Sequence, residues 1–261
     1  MNLKNLLYQE EDQIGTITFH RPEVKNAIDV ETMEELDFLL GRIEKGQGVR
    51  VLILTGSGEE SFVAGGDLKY FQSLDDIYKG RQMSLYMQGI LNRLEGMEIP
   101  SIALLNGYAF GGGFETALAC DFRIAAQGVR IGFQQIKMGI MTGWGGGQRL
   151  LRLIGRSRAL ELLLTASIIT AEEALALGLL NRVVPAPELI SAARGLARRI
   201  TQNPPLAVKY MKRAVHVGQD LPLRAAIDLE AELFCTLWAS EDHDEAVRAF
   251  MEKRAPQFKG R

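Results

Sequence analysis

The 261-residue chain has little cysteine and little histidine. Cys120 and Cys235 are too few for a disulfide framework and form no CxxC pair, so we expect two buried thiols in a reducing cytosol. The three histidines, His20, His216 and His243, are scattered along the chain. This spacing excludes a recognisable histidine metal motif, and we expect no metal site.

Long apolar runs and excess positive charge are also missing. No run approaches the roughly 18 apolar residues that a membrane span requires. The amino terminus has no long apolar core of the kind found in secretory signals, so we expect a cytoplasmic protein without a membrane partner. The formal net charge is −2, whereas binding to nucleic-acid phosphates requires a basic surface. We therefore expect no nucleic-acid partner.

Acidic residues are absent from one long stretch, residues 122–160, which nevertheless carries several cations. These cations are Arg123, Arg130, Lys137, Arg149, Arg152, Arg156 and Arg158. Two interpretations remain open: a local anion-binding face, or a helix surface whose cations pair with acids elsewhere in the chain. The sequence also has no G-x-G-x-x-G in a strand–helix context, no P-loop and no G-x-S-x-G nucleophile elbow.

Strand-like and helix-like segments alternate over the first half of the chain, which predicts an α/β architecture. Predicted strands cover 14–19, 49–55 and 101–105, and predicted helices cover 30–43 and 80–97. The last third is all-helical. We predict a core domain over residues 1–200 and a helical oligomerisation region over residues 201–261.

Two glycine-rich turns, residues 64–68 (AGGDL) and 111–115 (GGGFE), each follow an apolar, strand-like run. Glycine allows a ligand to approach the backbone closely, and the start of a helix carries free N–H groups. Two such turns side by side present two N–H donors to one oxygen, which is the arrangement of an oxyanion hole. A third glycine cluster, residues 143–147, either lines a pocket or allows close helix packing.

Glu115 lies on the first turn of the helix that the second glycine turn opens. Its carboxylate is a candidate general acid or base for a ligand held by the turn. The alternative is a glutamate that only stabilises the helix dipole, by about 0.3–1 kcal/mol. Asp67, after the first turn, is a candidate for orienting that loop, although we favour a simple helix cap.

These motifs resemble those of the crotonase superfamily, the enoyl-CoA hydratase/isomerase family. Residues 61–68 (SFVAGGDL) and 106–115 (NGYAFGGGFE) are similar to its two signatures, and further similarities lie at 21–27, 119–123, 146–150 and 250–258. The resemblance implies a spiral of ββα units followed by a helical C-terminal domain, assembled as homotrimers or homohexamers. It also implies an acyl-CoA thioester as substrate, with no cofactor beyond the coenzyme A that the substrate carries.

The resemblance also implies roles for particular residues. The N–H groups of Gly66 and Gly112 are expected to form the oxyanion hole, with Glu115 as the catalytic carboxylate. The segment containing Ala64, Asp67 and Leu68 is expected to contact the adenine end of coenzyme A. Candidates for contacting the coenzyme A phosphates are Lys25, Lys253 and Lys259.

One position departs from the hydratase pattern. Hydratases of this family use two glutamates, and this sequence has Gln135 where the second is expected. Glutamine has no titratable proton, so it positions a water or a substrate group and does not act as a base. Losing one general acid or base removes about 10²–10⁴-fold in rate, which argues against efficient two-glutamate hydration.

The sequence therefore predicts an acyl-CoA lyase that works through a thioester enolate with one catalytic glutamate. Hydration and decarboxylation of a 2-carboxyacyl-CoA both remain open, as does double-bond isomerisation. Residues 131–140 are similar to the ethylmalonyl-CoA decarboxylase branch, and residues 163–171 to methylmalonyl-CoA decarboxylases. A non-catalytic member that binds coenzyme A or RNA is the alternative from another class.

Overall fold

The computed structural model describes residues 3–46 and 48–261. Its larger sheet has six strands in the order β1-β2-β3-β5-β7-β10, and its smaller sheet has four in the order β4-β6-β8-β9. The strands are β1 (Leu6–Glu11), β2 (Ile14–Phe19), β3 (Val51–Gly56), β4 (Ser61–Val63), β5 (Ser101–Leu105), β6 (Tyr108–Phe110), β7 (Phe122–Ala126), β8 (Arg130–Gly132), β9 (Ile168–Thr170) and β10 (Arg182–Val184). Neighbours pair in parallel, except β1 with β2 and β8 with β9.

The helices lie between and after these strands. They are α1 (Val30–Lys45), α2 (Leu68–Gln72), α3 (Ile77–Gly96), α4 (Gly112–Leu118), α5 (Gly146–Ile154), α6 (Arg156–Thr165), α7 (Ala171–Ala176), α8 (Leu189–Thr201), α9 (Pro205–Gly218), α10 (Leu223–Trp238) and α11 (Glu241–Glu252). Short 3-10 turns cover Pro22–Val24, Gln135–Met138 and Ala186–Glu188.

The chain winds as a spiral of ββα units. Three times in succession, one strand enters the larger sheet, the next enters the smaller sheet, and helix follows: β3–β4–α2, β5–β6–α4 and β7–β8–α5. Strands β3 and β5 are almost wholly apolar because both of their faces are buried. The predicted α/β spiral with a helical C-terminal region is confirmed, and it brings the ends of β4 and β6 together as neighbours.

Local capping signals explain where several helices begin. Asp29 caps α1 by accepting from the backbone N–H of Thr32. Thr170 and Glu173 form a complete capping box at the start of α7. Asp76 caps α3, which therefore begins three residues before the predicted position 80.

The sequence analysis did not predict β1, because its outer face is polar and its residues show no apolar alternation. The expectation of two buried thiols was wrong: Cys235 is exposed on α10, and of the two cysteines Cys120 alone is buried. Burial raises the pKa of Cys120 to about 12, which makes it chemically inert at neutral pH.

The C-terminal helices follow α8, which packs on strands of the larger sheet. Helix α9 packs against α10, and the chain ends after α11. The division at residue 200 stays a prediction. Within residues 3–46 and 48–261, no helix is both long and apolar enough to cross a bilayer. The same described residues contain no group of three or more His, Cys, Asp or Glu side chains arranged to hold a metal ion.

Candidate active site

The first glycine turn follows β4 and is fixed by pairing with residue 28. The N–H of Ile28 donates to Gly65 O at 2.8 Å, and the N–H of Asp67 donates to Ile28 O at 2.8 Å. In a parallel bridge of this kind, the residue between the two bonded positions turns its own N–H away from the partner strand. Gly66 occupies that position, so its N–H is left available for a ligand.

The second glycine turn follows β6 and opens α4. Gly111 adopts φ +52°, a conformation that favours glycine, and its N–H donates to Gly132 O. The N–H groups of Phe114 and Glu115 both donate to Gly111 O. Gly112 is the first residue of α4, where backbone N–H groups have no partner inside the helix.

The two turns lie side by side. A Cβ atom on Gly65 would stand 3.5 Å from the Gly112 nitrogen. In the part of the chain that the structure describes, neither the Gly66 N–H nor the Gly112 N–H has a protein acceptor. That both N–H groups point at one carbonyl oxygen stays a prediction, and the proximity of the turns is consistent with it.

Glu115 is the buried carboxylate of this site, with 1% of its surface exposed. Its Oε2 accepts the backbone N–H groups of Trp144 at 2.9 Å and Gly146 at 2.7 Å. Among the described residues, the one hydrogen-bond donor to its Oε1 is the side-chain amide of Gln135, at 2.9 Å. Burial raises the pKa of Glu115, and the N–H groups of Gly146, Trp144 and Gly143 and the Gln135 amide partly offset that rise. A buried carboxylate with a raised pKa is typical of a group that moves protons.

Gln135 contacts Glu115 through its Nε2 and leaves its Oε1 without a partner. This oxygen is buried, and no donor from the described residues reaches it. It lies close to Gly111, where a Cβ would stand 3.8 Å away. Because Nε2 faces a carboxylate, the amide has one favoured orientation, with the unsatisfied acceptor on its other side.

Asp67 acts as a helix cap, as the sequence analysis favoured. Its carboxylate accepts the N–H groups of Lys69 at 2.9 Å and Tyr70 at 3.3 Å at the start of α2. Arg21 bonds the other oxygen at 3.0 Å. Burial by itself would raise the pKa of Asp67, but these donors outweigh it and hold the pKa below its ordinary value. The cap therefore holds the C-terminal end of the first glycine turn in place.

The candidate coenzyme A contacts fall into two groups along the chain, one around the first glycine turn and one in the tail after α11. Ala64 donates its N–H to Lys25 O at 3.1 Å, so Lys25 lies beside the first turn, where its ammonium pairs with Glu60 at 2.9 Å. Leu68, at the start of α2, is exposed.

Lys253 and Lys259 lie in the tail after α11. Lys259 donates its backbone N–H to Asp242, whose charge acts on Arg50 at the start of β3. The ammonium of Lys259 lies 3.8 Å from Glu241, whereas that of Lys25 pairs with Glu60. The phosphate contacts of Lys253 and Lys259 stay a prediction.

The comparisons with known proteins agree with this arrangement. A sequence model described as Enoyl-CoA hydratase/isomerase matches residues 9–261. The chain belongs to the enoyl-CoA hydratase/isomerase family. It is 40% identical to a short-chain-enoyl-CoA hydratase of Clostridium acetobutylicum over 262 residues, covering 100% of both chains. It is 38% identical to a crotonyl-CoA hydratase of Syntrophomonas wolfei, covering 99% of both chains.

Solved structures of this family share the whole fold. The enoyl-CoA hydratase of Bacillus anthracis aligns over 99% of this chain and 100% of its own, with 36% identity and a TM-score of 0.95. An enoyl-CoA hydratase subunit of Geobacillus kaustophilus aligns over 99% of each chain, with 39% identity and a TM-score of 0.91. The chain is thus an enzyme of the crotonase type over its full length.

Within this family site, sequence reasoning missed the donors that hold Glu115. The glycine cluster 143–147 was singled out only as a pocket lining or a site of close helix packing, yet its backbone N–H groups bind the carboxylate. Backbone donors have no residue-type signal, so only the tertiary structure reveals them.

Two cations of the acid-free stretch pair with acids elsewhere in the chain, as its second interpretation expects. Arg149 pairs with Glu95 at 2.7 Å and Arg152 with Asp220 at 3.2 Å. Arg123 is buried against backbone carbonyls instead.

Proposed function

We propose that this family member is an acyl-CoA lyase that forms a thioester enolate, with Glu115 as the only carboxylate that moves a proton. The observation that carries the proposal is the position of that buried carboxylate: it lies one helical turn from Gly112, beside the adjacent glycine turn of Gly66. The N–H groups of these glycines would hold the enolate oxygen. Removing one such donor typically costs about 2.7–4 kcal/mol of transition-state stabilisation.

The two oxygens of Glu115 have different tasks. Oε2 already accepts two backbone N–H groups, so it anchors the carboxylate. Oε1 accepts only the amide of Gln135 and retains a lone pair for a proton. We assign proton transfer to Oε1.

Hydration of a short-chain 2-enoyl-CoA is the reaction that the site and the relatives favour. The orphaned acceptor of Gln135 matches a water or a 3-hydroxyl group, each of which carries a donor hydrogen. Water oxygen would bond to C3 while its proton passes to Glu115 Oε1. The C2–C3 electron pair moves into the thioester oxygen, and the enolate then takes the proton at C2. The relatives named above as short-chain-enoyl-CoA and crotonyl-CoA hydratases support this choice.

Decarboxylation of a 2-carboxyacyl-CoA is the second candidate, favoured by the missing second carboxylate. Loss of CO₂ leaves its bonding pair in the enolate, and only one proton then has to be delivered to C2. Glu115, whose pKa is raised by burial, is suited to that task as an acid. Isomerisation needs the same residue to carry a proton between two carbons, and no further feature favours it.

The assay that separates these reactions uses crotonyl-CoA and ethylmalonyl-CoA with the wild-type protein and with Glu115→Gln. We expect turnover of crotonyl-CoA, reduced relative to two-glutamate enzymes by up to about 10²–10⁴-fold. Glu161→Gln, at an exposed position on α6, is the matched control and should match the wild type.

Turnover of ethylmalonyl-CoA alone would overturn hydration in favour of decarboxylation. Hydration at the full two-glutamate rate would overturn the argument from Gln135. No turnover of any thioester, combined with tight RNA binding, would overturn the proposal that the protein is an enzyme.

We further propose a cytoplasmic homotrimer or homohexamer that needs no metal or separate cofactor. The support for assembly is that large apolar side chains are exposed on the C-terminal helices, including Leu223, Trp238 and Phe250. Light scattering should report a trimer or hexamer mass, and a monomer would contradict the proposal. Treatment with a chelator should leave turnover unchanged.

A further inference from the structure

Two side chains of α3 converge on one carbonyl oxygen. Ser84 donates its hydroxyl to Gly143 O at 2.6 Å, and Gln88 donates its Nε2 to the same oxygen at 2.8 Å. The two residues are four apart, so they share one face of the helix. Gln88 Nε2 also lies 3.2 Å from Ser84 Oγ, which closes the cluster. Both lone pairs of this carbonyl are therefore engaged from α3.

The same peptide group reaches Glu115 on its other side. The carbonyl of Gly143 and the N–H of Trp144 belong to one planar trans peptide, so they point in opposite directions. The Trp144 N–H donates to Glu115 Oε2 at 2.9 Å. Donors on the carbonyl fix the direction of that N–H, and they polarise the amide so that it becomes a stronger donor. An unbroken hydrogen-bond chain thus runs from α3 to the carboxylate.

A further contact ties this segment to the same helix. The indole Nε1 of Trp144 lies 3.3 Å from the Met83 sulfur on α3. The Trp144 ring also fills the space beside Gly112, where a Cβ would overlap it. The position of α3 therefore bears on Glu115 and on the second glycine turn through one segment.

Neutral donors, not charges, stabilise the ionised form of Glu115. Burial raises its pKa, and the groups that lower it are the N–H groups of Gly146, Trp144 and Gly143 and the Gln135 amide. The neighbouring helix α5 carries two cations: Arg149, whose guanidinium is held by Glu95 and Asn92, and Arg152, which pairs with Asp220. On the first glycine turn, Asp67 is bound by Arg21. The strength of these donors therefore determines how far the pKa of Glu115 is lowered from the value that burial alone would give.

We propose that Ser84 and Gln88 are positioning residues that hold the Gly143–Trp144 peptide in the orientation that Glu115 requires to move protons. The proposal rests on the proposed function, in which Glu115 is the proton carrier. Neither residue touches the reacting atoms. Loss of their hydrogen bonds frees the peptide plane to tilt, weakens the Trp144 donor and lets Glu115 hold its proton more tightly.

The experiment titrates the Glu115 carboxyl group directly. The infrared band of its protonated form is assigned by its disappearance in Glu115→Gln, and its midpoint is followed with pH in Ser84→Ala, Gln88→Met and the double variant. We expect the midpoint of the double variant to move to higher pH by about 0.3–1 unit, the equivalent of one ordinary hydrogen bond. The limb of the pH–rate profile that reports Glu115 should move by the same amount. We expect kcat to fall about 3- to 10-fold with KM nearly unchanged.

Matched variants keep the test decisive. Gln82→Met makes the same exchange at an exposed position of α3, and Ser84→Thr keeps the hydroxyl; both should retain the wild-type midpoint. If Ser84→Ala fails to fold, Gln88→Met alone carries the comparison. An unchanged midpoint in the double variant, or an equal shift in Gln82→Met, overturns the proposal. Full activity of Glu115→Gln would instead overturn the proposed function, while the positioning comparison still rests on wild type and the α3 variants.

Discussion

Replacing Glu115 with glutamine separates the chemistry of the carboxylate from its packing. The amide oxygen can accept the N–H groups of Trp144 and Gly146 in place of Oε2. The new amide nitrogen would face Gln135 Nε2, donor against donor. Gln135 relieves this conflict by turning its amide, because its Oε1 has no other protein donor to lose. Glu115→Gln should therefore fold with the bonds to Trp144, Gly146 and Gln135 kept, while the turned Gln135 amide leaves its Nε2 without a protein partner, where Oε1 has none in the wild type.

The expected catalytic effect is large. Glutamine cannot take or give a proton, and loss of a general acid or base costs about 10²–10⁴-fold in rate. The effect should fall on kcat. Affinity for a saturated thioester such as butyryl-CoA, measured by calorimetry, should stay close to that of the wild type because the glycine turns are unchanged.

Although Glu115→Gln should lower the reaction rate, it should raise the stability of the fold at neutral pH. Burial raises the pKa of Glu115 above its ordinary value of 4.5, so the folded state binds the proton more tightly than the unfolded state. Its stabilising contribution is complete below pH 4.5 and is lost as the pH rises through the folded-state pKa. At neutral pH the folded protein carries a buried, ionised carboxylate that Glu115→Gln lacks. The variant should therefore melt at a higher temperature than the wild type at neutral pH, and the difference should vanish in acid.

Thermal melts across this pH range check the sign, with Glu161→Gln as the exposed control. Two results would refute the reasoning. One is a variant with activity within tenfold of the wild type, which would reduce Glu115 to a helix-stabilising residue. The other is a lower melting temperature for Glu115→Gln at neutral pH, which would mean that the ionised carboxylate stabilises the fold.

Three further predictions concern the start of α4, the cap of α7 and the ammonium group of Lys25. Gly113→Ala places a methyl group onto the backbone oxygen of Val63, so urea unfolding should show a loss of about 1–3 kcal/mol, accompanied by lower kcat. Thr170→Ala removes half of a capping box whose bonds join only residues 170 and 173, and it should cost about 0.5–2 kcal/mol of stability with unchanged kcat. Lys25→Met should raise KM for acyl-CoA severalfold at low salt, with a smaller effect at high salt, because the proposed phosphate contact is electrostatic.

Each of these predictions has an internal control. Gly89→Ala adds the same methyl group within α3, where nothing lies within 4 Å, and it should stabilise the protein by about 0.5–1 kcal/mol. Loss of stability there equal to that in Gly113→Ala would contradict the packing argument. A fall in kcat for Thr170→Ala would show that α7 affects the site. An unchanged KM for Lys25→Met at low salt would remove Lys25 from the coenzyme A contacts.

Features encoded by neighbouring residues were predictable from the sequence. The caps at Asp67 and Thr170 depend on one side chain and backbone groups two or three residues away, so the pattern alone predicts them. The ββα spiral followed from the motif resemblance, and the short strand β6 that it requires was not seen by periodicity because it has only three residues. Strand β1 was missed because its residues show no apolar alternation, and the exposure of Cys235 was missed because it depends on how α10 packs.

By itself the sequence determined the two glycine turns, the carboxylate at residue 115 and the glutamine at residue 135, because these are matters of residue type and local spacing. Only the tertiary structure decided how Glu115 is held. Its donors come from residues 20 to 31 positions along the chain, mostly through backbone N–H groups that every residue type carries. Which N–H group reaches the Glu115 carboxylate depends on how α4, the Gln135–Met138 turn and the segment that leads into α5 pack together. The residue types in these elements do not reveal it.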